Sequence, residues 1–264
     1  MASSALSMTG KTAIVTGSGR ETSIGAAIAF ALAHEGASVA VHHMSESSAP
    51  RAKKVAIEVE RLGGKAIVVQ GNITDVESVK KIVQDTLTAF DTKTIDILVN
   101  NAGGPIHARD SALTEMDSAH ILETFTLNYL GPILMIQAAV PYMPQGGRII
   151  NIGAMASLIY VPFQPAYGAS KAALDHSTRY LAAELGKTRG ITVNTVAPGG
   201  VLTDPLLNVP PQALESIKKM STSLSKAADR MGTTEDIADV VLFVASEKCR
   251  WITGHVFPTG GGMF

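Results

Sequence analysis

The chain has 264 residues, of which 46% are apolar and 17% charged, with a formal net charge of −1 at pH 7. That is enough apolar material for one large core, and 22 Lys and Arg against 23 Asp and Glu leave no basic footprint for nucleic acid or anionic lipid. The single cysteine, Cys249, excludes an internal disulfide and a cysteine metal cluster, and it reads as a packing residue of a reducing compartment.

Residues 1–10 have no basic start and no long apolar stretch, so no secretory signal is expected. The longest apolar runs, such as Ala26–Ala33, are far too short to span a bilayer. A soluble cytoplasmic protein without membrane or nucleic-acid partners is predicted. Apolar, β-branched runs suggest strands at Thr12–Thr16, Ser38–His42, Ala66–Val69, Ile95–Asn100, Arg148–Ile152, Thr192–Ala197 and His255–Pro258. Segments of helical period lie between them, near 24–35, 47–62, 75–90, 117–140, 166–187 and 234–246. The strands are continuous rather than alternating, which implies burial on both faces of a parallel sheet. The predicted architecture is α/β: a single domain over 1–264 with a Rossmann-type doubly wound sheet of about seven strands and helices on both faces.

The first strand leads into Thr16–Gly25, a turn of small residues that opens the first helix. Backbone N–H groups and the helix dipole converge at such a turn, which suits a dinucleotide pyrophosphate. The second strand ends in Val41-His42-His43-Met44-Ser45-Glu46. An acid there would take the 2′-hydroxyl of NAD; histidine, Ser45 and a nearby Arg20 suit a 2′-phosphate instead and favour NADP(H), with Glu46 a mild counter-indication. His42 and His43 are adjacent in a strand, point to opposite faces and are poorly placed to share a metal, so no metal site is expected. Asp204–Asp229 interrupts the alternation with Pro205, Pro210 and Pro211 and a polar run; it reads as a lid or binding loop, or else as a helix-loop excursion.

Tyr167 and Lys171 are four residues apart on a predicted helix and therefore share a face. A cation held beside a phenol lowers its pKa by about 1–3 units and makes it a usable proton donor near neutral pH.

Together these segments resemble the short-chain dehydrogenase/reductase family from Gly10 to Gly262. The matching motifs are Thr16-Gly17 with Ile24-Gly25, Asn100-Asn101-Ala102-Gly103, Asn128, Tyr167-x-x-x-Lys171, Pro198–Thr203, Arg230-x-Gly232 with Glu235–Ala238, and Thr253-Gly254. The resemblance implies that Tyr167 is the acid/base, that Lys171 tunes it and binds the nicotinamide ribose, and that Asn128 holds a relay water. It implies a cofactor cradle from Gly17, Gly19, Arg20, Ser23, Ile24, His43 and Ser45, with Asn101, Ala102 and Gly103 under the adenosine ribose. It places Asn72 and Ile73 at the adenine, and Pro198, Gly199, Val201 and Thr203 near the nicotinamide and pyrophosphate. Residues 117–140 and 166–187 would pair subunits into a homodimer or homotetramer. His107, Leu158, Phe163, Leu206 and Leu207 would wall an apolar site for a bulky or cyclic small molecule.

Three positions depart from the family pattern. The glycine loop is two residues longer, with Ser23 at the middle glycine. The last strand ends in Thr259-Gly260-Gly261 rather than Asp-Gly-Gly, a change expected to matter only to subunit packing. The usual Asn-x-Ser-Ser is Asn151-Ile152-Gly153-Ala154, so the serine that hydrogen-bonds the substrate oxygen is absent. Loss of such a donor costs a factor of about 10²–10³ in rate, and reduction of ordinary ketones should be impaired. Ser157 is the nearest alternative hydroxyl. Three readings of Ala154 stay open: an engineered Ser→Ala change in a carbonyl reductase, a natural imine or iminium reductase, or a non-redox cyclase or binding protein that keeps NADP as a structural cofactor.

Overall fold

The computed structural model describes residues 6–106, 112–162 and 164–264. All seven predicted strands form: β1 (Thr12–Val15), β2 (Ser38–His43), β3 (Lys65–Gln70), β4 (Ile97–Asn100), β5 (Arg148–Ile152), β6 (Thr192–Pro198) and β7 (Val256–Thr259). They pair in parallel in the order β3-β2-β1-β4-β5-β6-β7. The winding reverses between β1 and β4, the crevice where open α/β sheets bind ligands. Every residue of β1, β4, β5 and β6 is buried, as continuous apolar runs require. The fold is the expected doubly wound α/β sheet.

One face is covered by α1 (Ile24–His34), α2 (Ala49–Arg61) and α9 (Thr234–Ala245), which share a core with Val15, Val39, Val99 and Val196. The other is covered by α3 (Val76–Ala89), α5 (Gly131–Ala139) and α6 (Pro165–Arg189), packed on Ile14, Leu98, Ile149 and Val193. Ser23, Asp75 and Thr233 cap α1, α3 and α9 by accepting backbone N–H groups, and Gly190 ends α6 in a left-handed conformation.

One element differs from expectation. The predicted helix 117–140 is divided into α4 (Ser118–Phe125), a π-helical turn at Thr126–Leu130, and α5. Pro132 has no N–H to close an α-helical bond on the Asn128 carbonyl, and the Asn128 side chain donates to the Thr124 carbonyl at 3.0 Å. The segment read as a lid or binding loop, or else as a helix-loop excursion, contains no strand and holds two helices, α7 (Asp204–Leu207) and α8 (Pro211–Leu224). Its prolines fall at the first turns, where a missing N–H costs nothing.

Candidate active site

Thr16 builds the phosphate end. Its hydroxyl accepts the N–H groups of Asn101 (2.9 Å) and Ala102 (3.0 Å), while Asn101 Nδ2 donates to the Thr16 carbonyl at 2.8 Å. The first and fourth βα turns are thereby stitched edge to edge. Gly17, at φ +67°, lies so close to Ala102 that a Cβ would stand 2.8 Å from its Cα. Ser23 Oγ donates to the Arg20 carbonyl and accepts Ala26 N–H, so its side chain is spent on capping. The first N–H groups of α1, at Ile24 and Gly25, point out of the helix without an intrahelical partner. Gly19 packs on His43, where a Cβ would come within 2.9 Å of the imidazole's own Cβ. This cradle fits a pyrophosphate.

The end of β2 behaves as a fixed frame. His42 Nδ1 accepts Gly17 N–H at 2.9 Å and Nε2 donates to the Gly71 carbonyl at 3.0 Å, which fixes the tautomer. Burial lowers its pKa to about 4, so the ring stays neutral. His43 Nδ1 donates toward the Ser45 carbonyl (3.0 Å), and the hydroxyls of Ser45, Ser47 and Ser48 bond one another. Arg20, on the glycine loop, is exposed. Asn72 Oδ1 accepts from the Thr74 N–H and hydroxyl, and Ile73 is buried against Gly131. The Ile73 side chain packs in the core beside the position where the adenine is expected.

Arg51 is a residue that sequence reasoning missed. From the first turn of α2 it donates to Glu21 on the glycine loop at 2.6 Å and to Asp204 at the start of α7, and Thr22 also bonds Asp204. The pairing holds both carboxyls below their usual range. At its far end, the same segment gives the N–H groups of Lys226 and Ala227 to the Gly261 carbonyl. The segment is pinned at both ends. No sequence signal linked these partners, which lie 153 residues apart.

The residues expected to transfer the proton gather where the fourth and fifth strands end. Asn128 Oδ1 accepts Gly104 N–H at 2.8 Å, and its Nδ2 donates to the Gly104 carbonyl at 3.0 Å. A Cβ on Gly103 would meet Asn128 Oδ1 at 2.6 Å and Lys171 Nζ at 3.6 Å. Lys171 Nζ donates to the Ile152 carbonyl at 2.8 Å and lies 5.8 Å from the Tyr167 ring centroid. Burial lowers the Lys171 pKa to about 8. It also pushes the Tyr167 phenol above its ordinary value, the opposite of the lowering by Lys171 that the sequence led one to expect. Ala154 is 7% exposed, directly after β5. Ser157 bonds Asp175 Oδ2 at 2.5 Å and the Ala154 carbonyl at 2.8 Å, so its hydroxyl is committed away from the position of the missing serine.

Val201 is buried beside Gly232, and Thr203 precedes α7. Pro198 closes β6 and Gly199 packs on Gly260. Leu158 and Leu206 are half-buried and Leu207 is exposed; His107 and Phe163 lie outside the described residues. The C-terminal glycines act within the chain: Gly260 packs on Met155 next to Ala154, and Gly261 on Ser225, which extends their role beyond the expected subunit packing. Among the described residues, no group of three or more His, Cys, Asp or Glu could hold a metal, and no helix is long and apolar enough to cross a membrane.

The family model described as enoyl-(acyl carrier protein) reductase matches residues 17–264. The chain is 38% identical to the short-chain dehydrogenase/reductase FrzI of Cladobotryum sp, covering 97% of each protein. It is 34% identical to the hydroxynaphthalene reductase arp2 of Aspergillus fumigatus, over 96% of this chain and 92% of that one. Among solved structures it is similar to the angucycline C-6 ketoreductase LanV with bound NADP, with TM-score 0.87, 36% identity, and 97% and 96% of the two chains covered.

Proposed function

This chain belongs to the short-chain dehydrogenase/reductase family, and from that premise we propose that it is an NADPH-dependent reductase of secondary metabolism that acts on a carbonyl of a bulky, largely apolar small molecule. The observation that carries the reading is the convergence of Lys171 and Asn128 on the Gly103–Gly104 turn, with the Tyr167 ring 5.8 Å from Lys171 Nζ, one loop from a pyrophosphate cradle. Relatives include reductases of fungal origin and a ketoreductase with bound NADP. The bound dinucleotide supplies the hydride. Gly17, Gly19 and the start of α1 hold its phosphates; Arg20, His43 and Ser45 receive a 2′-phosphate.

Tyr167 keeps its proton across the working pH range and delivers it to the substrate oxygen as charge develops there. Lys171 places a positive charge beside that phenol and the cofactor ribose. The Asn128 carbonyl, which Pro132 cannot cap, is a site for the relay water. Leu158, Leu206 and Leu207 contribute apolar wall, a homo-oligomer forms on the α4–α6 face, and the protein works in the cytoplasm.

A second reading is reduction of an imine or iminium. It is favoured by the absence of a free hydroxyl at Ala154 and the commitment of Ser157 to Asp175. An iminium carbon is already cationic, so no oxyanion donor is required. NADPH oxidation against panels of ketones and cyclic imines separates the two: turnover of imines alone selects the second, and turnover of neither by a chain that binds NADPH overturns both.

A further inference from the structure

A buried polar ladder runs across the strand ends behind the reaction centre. Asn100, Asn151 and Thr195 are in register on β4, β5 and β6. Asn100 donates to Asn151 Oδ1 (2.9 Å), and Asn151 donates to Thr178 Oγ1 (3.0 Å). Thr178 gives its one proton to the Leu174 carbonyl (3.0 Å), so the 2.9 Å contact with Thr195 must be donated by Thr195. Thr195 then has no proton left for the next group along, Asp175.

Asp175 is only 4% exposed and lies one helical turn past Lys171. Its Oδ2 faces the Ser157 hydroxyl at 2.5 Å, while Oδ1 lies beside Gly153 and Thr195 without a hydrogen-bond partner. A Cβ on Gly153 would stand 3.0 Å from Oδ1, so the carboxyl occupies room that a side chain at the family's first serine would take. No cation is bonded to it: the Lys171 ammonium donates to the Ile152 carbonyl, and no ion pair to Asp175 forms among the described residues. An ionised carboxylate offers about four acceptor sites, and a buried one with a single hydroxyl donor is severely under-solvated. A neutral acid is not. Its Oδ2–H donates to Ser157 Oγ, and Ser157 passes its own proton to the Ala154 carbonyl at 2.8 Å, which makes every contact a proper donor–acceptor pair.

We infer that Asp175 is a neutral, protonated acid in the resting protein and acts as a positioning residue. Through Ser157 it tethers the turn that carries Ala154, and by staying neutral it leaves the charge of Lys171 uncancelled. Burial raises the Asp175 pKa, opposed by the Ser157 hydroxyl, by the charges of Lys171 and Arg179 and by the nearby Thr195 hydroxyl, whose proton the ladder directs to Thr178 instead. The groups facing it are Tyr167, Lys171 and Arg179 on α6, Ser157 on the following turn, Thr195 on β6 and the backbone of Gly153. The role for Lys171 rests on the reductase reading above; the protonation state does not.

Infrared difference spectroscopy of the cofactor-free protein at pH 7, wild type minus Asp175→Asn, tests the state directly. The expected result is loss of the carbonyl stretch of an un-ionised carboxylic acid, and loss of carboxylate bands instead overturns the inference whatever the enzyme's substrate. If Asp175→Asn does not fold, Ser157→Ala should shift that acid band without abolishing it; no acid band in wild type or Ser157→Ala is the overturning result. The role is read from NADPH dissociation constants between pH 6 and 9. Asp175→Asn, whose amide can still donate to Ser157, should lose affinity less steeply than wild type as pH rises. A ratio of the two constants that does not change with pH removes the link to Lys171.

Discussion

Arg51 bonds Glu21 and Asp204 at once, so one guanidinium ties α2 to both the glycine loop and the start of the 204–229 segment. The glycine loop and the 204–229 segment are thus held by one side chain and are not two loops that happen to lie near each other. The groups are partly solvent-exposed, and each such pair contributes about 0.2–1 kcal/mol. Asp204→Asn is expected to raise the NADPH dissociation rate by up to about fivefold, the rate equivalent of that energy. Stopped-flow fluorescence at low and high salt checks it: wild type should speed up with salt, because exposed pairs are screened, and the variant should respond less.

Restoring the family's donor is the second test. Ala154→Ser should raise kcat/KM for a ketone substrate by about 10²-fold, since that is the typical loss when one such donor is removed. A gain below about tenfold would mean that the chain does not rely on that hydroxyl and would favour the imine reading.

The pH dependence of Lys171 follows from its burial. With a pKa near 8, the ammonium loses its charge as pH rises through that value. NADPH affinity should fall above pH 8, measured by fluorescence titration. Stability moves the opposite way. The folded pKa lies below the ordinary lysine value of 10.5, so the unfolded chain binds more protons between pH 8 and 10.5, and this group's contribution to stability rises across that window.

His42 gives an acid limb. Its folded pKa of about 4 lies below the ordinary 6.5, so unfolding takes up a proton anywhere between the two. Stability should fall as pH drops from 6.5 to 4 and level off below, with a total contribution on the order of 3 kcal/mol for a shift of this size. His42→Gln can accept Gly17 N–H and donate to Gly71, but it cannot titrate. Denaturant melts of the variant across that range should lack the slope.

Gly103→Ala tests the junction itself. At φ +143° an L side chain is strained, and its Cβ would lie 2.6 Å from Asn128 Oδ1. A destabilisation of about 1–3 kcal/mol is expected, with reduced turnover in the folded fraction because Asn128 must move. Thermal melts and steady-state rates on the folded protein measure the two effects separately.

Much of the molecule could be read along the chain because its signals are local. Continuous runs such as Ile97–Asn100 and Arg148–Ile152 are strands because only a sheet covered on both faces can bury them. Ser23 and Asp75 announce helix starts through the N–H groups they cap. The Tyr167–Lys171 spacing puts both heads on one helical face before any tertiary contact exists. The division of helix 117–140 was harder to see, although Pro132 four residues after Asn128 is the signal that could have shown it.

The chain by itself determined the sheet and placed the Tyr167–Lys171 pair and the turn glycines on their elements, because periodicity, caps and turn glycines act over a few positions. Tertiary structure decided the electrostatic state of those residues. The Tyr167 phenol is raised rather than lowered, and Ser157 is bound to Asp175 rather than free, because desolvation and hydrogen-bond partners depend on groups brought together from distant strands. It also decided that Arg51 and Asp204 meet across 153 residues of chain. Burial and Coulomb interactions fall with distance in space, not along the sequence, and so they had to wait for the fold.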